Sequence, residues 1–182
     1  MKSSLLSYVS CTISVVGILT TFYFSQSHVD ALQDYSIRFS TNKAEGTFGG
    51  LEGTVRFSAD QYAQATMDVS VDVATIRTGH KKKDKHARNS KWFDAKQYPR
   101  ISFNSDAIMK TGSSFEAGGV LTIKGISRQH KIDFAPQEHE GTIYLIGSTT
   151  VNRKQFGIDG NMFAFLVGDE VSVELKVPAT FN

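Results

Sequence analysis

Cysteine is nearly missing from this sequence: Cys11 is the one thiol in 182 residues. A single thiol closes no internal disulfide and builds no cysteine-rich zinc site. An excess of either charge is missing as well, since 20 Lys and Arg face 18 Asp and Glu for a formal net charge of +2. Nucleic-acid binders usually carry a clear basic excess, so no nucleic-acid partner is expected. There is no G-x-S-x-G elbow and no H-E-x-x-H pair, and Cys11 lies in the leader described below, so no enzyme is expected. No internal repeat and no Pro/Ser linker marks a second domain, which leaves one domain and a short extra piece.

That piece is N-terminal. After Lys2 no charged residue appears until Asp30, a gap of 27 residues whose apolar part runs from Leu5 to Phe24. Residues 1–31 read as a signal peptide or an uncleaved membrane anchor, with Lys2 on the cytoplasmic side. Ser25-Gln26-Ser27 and Val29-Asp30-Ala31 offer small-residue cleavage sites. Too few apolar residues precede Cys11 for a lipoprotein signal. The expected localisation is therefore export to the periplasm or cell envelope. Membrane association runs through this segment if it is retained.

What the sequence has in quantity is alternation. Tyr35, Ile37 and Phe39 share one face against Ser36, Arg38 and Ser40. Leu51, Val55 and Phe57 alternate with Glu52, Thr54, Arg56 and Ser58, and Met67, Val69, Val71 and Val73 with Asp68, Ser70 and Asp72. Val171, Val173, Leu175 and Val177 repeat the pattern near the C-terminus. Each reads as a strand with one dry and one wet face. Less regular strands are expected at 100–106, 114–124, 129–136 and 142–151, with turns at Gly49-Gly50, Thr111-Gly112-Ser113 and Glu138–Gly141. His80–Tyr98 lacks alternation, and it has room for short helices at HKKKDKHARNS and KWFDAKQYP before Pro99. Residues 32–182 are thus expected to form an all-β, antiparallel barrel of about eight strands with one short helical crossover.

Candidate sites are few. Lys81, Lys82, Lys83, Lys85 and Arg88 surround Asp84, with His80 and His86 beside them. The cluster reads either as a solvated face or as a docking surface for an anionic group. Four lysines make His80, Asp84 and His86 a poor dication site, so no metal is expected. His130 lies in an alternating segment and reads as structural. Asp68 and Asp72 lie on a polar strand face and read as solvated. The apolar segment Gly160–Gly168, with Met162, Phe163, Phe165, Leu166 and Val167, has no strand pattern. Together with Trp92, Phe93 and Phe156 it is consistent either with a plugged core or with a carrier of an apolar ligand.

Four blocks in order resemble the YceI-like family. They are Ala74-Thr75-Ile76-Arg77-Thr78-Gly79 through Lys83-Asp84-Lys85-His86 to Trp92-Phe93-Asp94 and Tyr98-Pro99-Arg100-Ile101-Ser102-Phe103-Asn104-Ser105; Gly119-Val120-Leu121-Thr122-Ile123-Lys124-Gly125-Ile126; Asn152-Arg153-Lys154-Gln155-Phe156-Gly157-Ile158; and Val167-Gly168-Asp169-Glu170-Val171. The resemblance implies a lipocalin-like barrel around a polyisoprenoid chain. It departs at Lys83, where the family often has Arg, and at Ala87, where it often has Leu. The first change keeps charge but loses a bidentate fork; the second loosens packing beside the pocket.

On this reading the protein is an exported, non-catalytic carrier of an isoprenoid or similar lipid. It needs no cofactor, and its ligand is an isoprenoid quinone or polyprenyl lipid. The chain would lie among Phe39, Phe57, Met67, Val69, Val71, Ile101, Phe103, Phe115 and Leu121. A polar head would meet Lys83, His86, Arg88 or Arg153 at the mouth, while Asp84 and Asp94 would cap or orient neighbours. A lipid-free barrel that binds envelope proteins and an enzyme acting on a lipid in the same cavity remain as alternatives. Oligomeric state is not legible.

Overall fold

The structure, a computed structural model, describes residues 32–160 and 168–180. The leader, most of the Gly160–Gly168 segment and the last two residues lie outside the described residues. Eight strands follow one another: β1 (Ser36–Ser40), β2 (Glu45–Arg56), β3 (Thr66–Arg77), β4 (Arg100–Thr111), β5 (Ser114–Ile123), β6 (Ile126–His139), β7 (Thr142–Asn152) and β8 (Glu170–Ala179). Every strand pairs antiparallel with its neighbour in sequence, and β1 pairs β8 from Ser36↔Lys176 to Ser40↔Ser172, which closes a barrel. Closure leaves no free edge strand to template aggregation.

The alternation decides which side chains turn inward. In β5 every second residue is buried, so Phe115, Ala117, Leu121 and Ile123 face the interior. The two-residue links Lys124-Gly125 and Glu140-Gly141 have both residues at positive φ, the requirement of a type I′ hairpin.

The two ends differ. At one, β2–β3, β4–β5 and β6–β7 turn back; here Phe57, Phe115 and Phe134 are 2–3 % exposed and their ring centroids lie 5.0–5.6 Å apart. Tyr62, on a short 3₁₀ turn (Tyr62–Gln64), packs on Phe115 at 5.6 Å. This is the floor. Burial is worth about 1.5–3 kcal/mol for each large side chain, and each aromatic pair adds about 0.5–1.5 kcal/mol.

At the other end lies the crossover that carries α1 (Lys81–Ala87). His80 caps α1 by accepting from the Lys82 amide at 3.3 Å. Asp84 is 6 % exposed and accepts from both the Thr78 amide and the Thr78 hydroxyl at 2.7 Å. Those two hydrogen bonds hold its carboxyl below the usual carboxylate range.

Two expectations are corrected. Gly49-Gly50 is no turn but lies inside β2, where the register with β3 shifts between Thr47↔Arg77, Gly49↔Asp72 and Glu52↔Ser70. Gly50 has φ +63, and a Cβ there would lie 2.8 Å from Asp72 Cβ, so the glycine serves an irregular strand crossing. The second helical piece, KWFDAKQYP, forms consecutive turns instead. The turns are tied by the Phe93 amide to Ala87 O and by the Tyr98 amide to Asp94 O.

Candidate functional site

Above the floor the barrel is hollow. A cavity of about 540 Å³ runs from Phe134, Val55 and Val177 up to the crossover, inside the range of about 300–1,000 Å³ usual for ligand sites. All eight strands line it, β1 through Ile37 and Phe39, β7 through Leu145 and Val151, and β8 through Val173, Leu175 and Val177.

The expected lining residues separate by depth. Phe39, Met67, Val69, Val71, Ile101, Phe103 and Leu121 lie on the cavity wall. Phe57 and Phe115 do not; they are corrected to the floor, where their rings pack on each other and on Phe134. The segment Met162–Val167 falls outside the described residues.

The rim is aromatic and cationic. Phe48 stands between Phe39 at 5.3 Å and Phe93 at 5.7 Å, the latter edge-on. Lys83, His86 and Ala87 line the wall from α1, joined by Lys43 from the β1–β2 link. Positions 83, 86 and 87 share one helical face by their spacing of three and four. The other two cations expected here have different surroundings. Arg88 is absent from the wall and donates to the Ala74 carbonyl at 2.9 Å, tying α1 to β3. Arg153 touches the cavity but is 3 % exposed. It donates to the Gly168 carbonyl at 2.6 Å and to the Ile158 carbonyl, pairs with Asp169 at 3.2 Å, and lies 5.8 Å from the Trp92 ring. It is a knot that holds the 3₁₀ turn (Arg153–Phe156) to the start of β8.

Polar side chains interrupt the apolar wall at Ser70 and Ser102, partners across β3 and β4, and at one hydrogen-bonded pair on β6 and β7. The β6–β7 ladder runs from His139↔Thr142 to Asp133↔Ser148; beyond it, side chains join the strands. The imidazole Nε2 of His130 lies 2.7 Å from Thr149 Oγ1, which itself donates to Lys131 O at 2.8 Å, while Arg128 donates to Gln155 O at 3.0 Å. Because Thr149 has one proton and gives it to Lys131 O, Nε2 must carry the imidazole proton. Both side chains line the cavity. Burial pushes the His130 imidazole below its ordinary value, so it is neutral near pH 7. The alternating segment gives His130 a structural reading and gives Thr149 none, since nothing but spatial adjacency picks that residue out. Among the described residues, no three His, Cys, Asp or Glu cluster as a metal site would require.

A closed antiparallel barrel of eight strands, whose described residues leave an apolar hollow above a packed floor, is a lipocalin-like barrel. The family model of the YceI-like domain matches residues 22–179, and the chain belongs to that family. Among curated relatives, the UPF0312 protein plu2095 of Photorhabdus laumondii is 30 % identical over 83 residues, 46 % of this chain and 43 % of the relative. Protein YceI of Escherichia coli O157:H7 is 29 % identical over 83 residues, 46 % of this chain and 44 % of the relative. These matches thus span less than half of the curated relatives' length. Among solved structures, Burkholderia cenocepacia BcnA aligns with TM-score 0.76 and 27 % identity, covering 84 % of this chain and 99 % of BcnA. A polyisoprenoid binding domain from Saccharophagus degradans aligns with TM-score 0.56 over 84 % of this chain and 97 % of that domain; at 12 % identity the likeness is one of fold.

Proposed function

We propose that this protein is a non-catalytic lipid-binding barrel of the cell envelope that encloses a long isoprenoid or similar chain. The observation that carries the reading is the hollow itself, an apolar interior lined by all eight strands and open at one rimmed end. A wall of Phe, Val, Ile, Leu and Met accepts hydrocarbon without demanding hydrogen bonds. Each methylene that leaves water contributes about 0.8 kcal/mol before ordering costs. The polyisoprenoid binding of the Saccharophagus degradans domain supports the ligand class.

In this reading the chain lies between the floor and the Phe39–Phe48–Phe93 rim, and a polar head meets Lys83 and His86. Residues 1–31 deliver the barrel across the inner membrane as a signal peptide or hold it there as an anchor. Among the described residues no feature of the interior favours the lipid-free alternative, whose inward faces would close on one another.

Native mass spectrometry of the purified protein, followed by organic extraction, tests the proposal. The expected result is one lipid per chain, displaced by added isoprenoid quinone. Consistent absence of lipid together with no quinone uptake would overturn it.

A further inference from the structure

The near-neutral total charge hides a strong polarity. The described segments that join strands around the mouth (41–44, 78–99, 124–125, 153–160 and 168–169) carry eleven Lys or Arg against four Asp or Glu. The segments at the opposite end (32–35, 57–65, 112–113, 140–141) carry no Lys or Arg and three acidic residues, Asp34, Asp60 and Glu140. Lys43, Lys81, Lys82, Lys85 and Lys91 are exposed on the mouth end. Of the two acidic residues in the 78–99 crossover, Asp84 is turned inward onto Thr78.

We infer that the mouth end is a docking face for an anionic lipid bilayer, which seats the cavity opening against the membrane surface. Solvation alone would spread the lysines over the barrel, whereas here they gather at the one end through which the cavity opens. An anionic bilayer is the partner whose charge complements that ring and whose chains suit the cavity it surrounds. Half-exposed Trp92 and Phe93 lie at the same rim, and a tryptophan there is suited to the headgroup level. The described chain enters at the other end, where Asp34 meets Tyr144 and Lys176. A tether through the preceding residues therefore pulls on the end opposite the mouth, and docking is a separate event with its own signature.

Trp92, the one tryptophan of the chain, reports it directly. The full-length protein is mixed with phosphatidylcholine vesicles that contain brominated phosphatidylcholine, with or without about 30 % phosphatidylglycerol. The expected result is quenching of Trp92 on the anionic vesicles only, abolished by about 0.5 M salt. Lys81→Gln, Lys82→Gln and Lys85→Gln together weaken the effect, at about fivefold per lysine. Arg38→Gln, Arg56→Gln and Lys110→Gln together, with the same loss of net charge away from the mouth, change it less than twofold (roughly). Absence of quenching, equal quenching on phosphatidylcholine alone, or equal loss in the two triple variants would each overturn the inference. Lipid content of the cavity is read separately by extraction, so a barrel that holds lipid without docking, or docks without lipid, separates this inference from the proposed function.

Discussion

The floor and the mouth are built from the same alternating strands and do opposite work. At the floor Phe57, Phe115 and Phe134 are almost fully buried and touch one another, and the Lys110 ammonium lies over the Phe115 ring at 5.9 Å. At the mouth Phe39, Phe48 and Phe93 are only partly covered, and Lys43, Lys83 and His86 share their wall. A ring that has lost its water and gained close neighbours stabilises the fold. A ring left half in water over an open cavity contributes less to stability and remains available to a ligand. The difference teaches that, on the proposed function, stability and binding are separated along the barrel axis.

The most severe test of this division is a matched pair of truncations. Phe115→Ala should cost about 3–5 kcal/mol in urea unfolding, because it empties a site enclosed by Phe57, Tyr62 and Phe134. Phe93→Ala at the rim should cost about 1–2 kcal/mol. Equal losses would break the comparison.

A smaller effect is expected where the mouth has its own anchor. Thr78→Val deletes one of the two hydrogen bonds to buried Asp84 and should cost about 1–3 kcal/mol. Hydrogen exchange should then quicken in α1 while the floor strands keep their protection.

Filling the cavity should separate binding from stability. Leu121→Trp replaces an aliphatic side chain by an indole at a wall position. Lipid recovered by extraction should fall by more than half (roughly), with a stability change below about 1.5 kcal/mol.

The least of these effects concerns acid. The native His130 imidazole titrates below its ordinary value of 6.5, so the unfolded chain binds the proton more readily. Stability is then fully present above the unfolded value and is lost as pH falls through the native one. The melting temperature should decline from about pH 6.5 downward, and His130→Leu should flatten that decline. An unchanged slope would remove His130 from the account.

Much of this plan is legible in the order of the residues alone. The strands around Ile37, Val55, Val71 and Val173 follow from period-two alternation, because successive side chains on extended backbone point to opposite faces. Alternation reports the face and says nothing of height. Phe57 and Phe103 both point inward, yet one lies in the floor and the other lines the cavity, because barrel stagger sets their levels. The glycine pair Gly49-Gly50 imitates a turn signal, since a bulge and a turn both need positive φ. Arg88 and Arg153 resemble headgroup ligands in one dimension, but the carbonyls that hold them lie on β3 and beside β8.

The sequence by itself determined the strand count and the inward faces, along with the place of the crossover and the family, because these depend on local periodicity and on blocks of neighbouring residues. Tertiary structure alone decided that the interior is hollow, that three phenylalanines seal one end, and that His130 meets Thr149. Only the fold, too, gathers the lysines of a nearly neutral chain around one opening. These are distances between residues far apart in sequence, and strand stagger and closure of β1 on β8 set them. No local pattern encodes either.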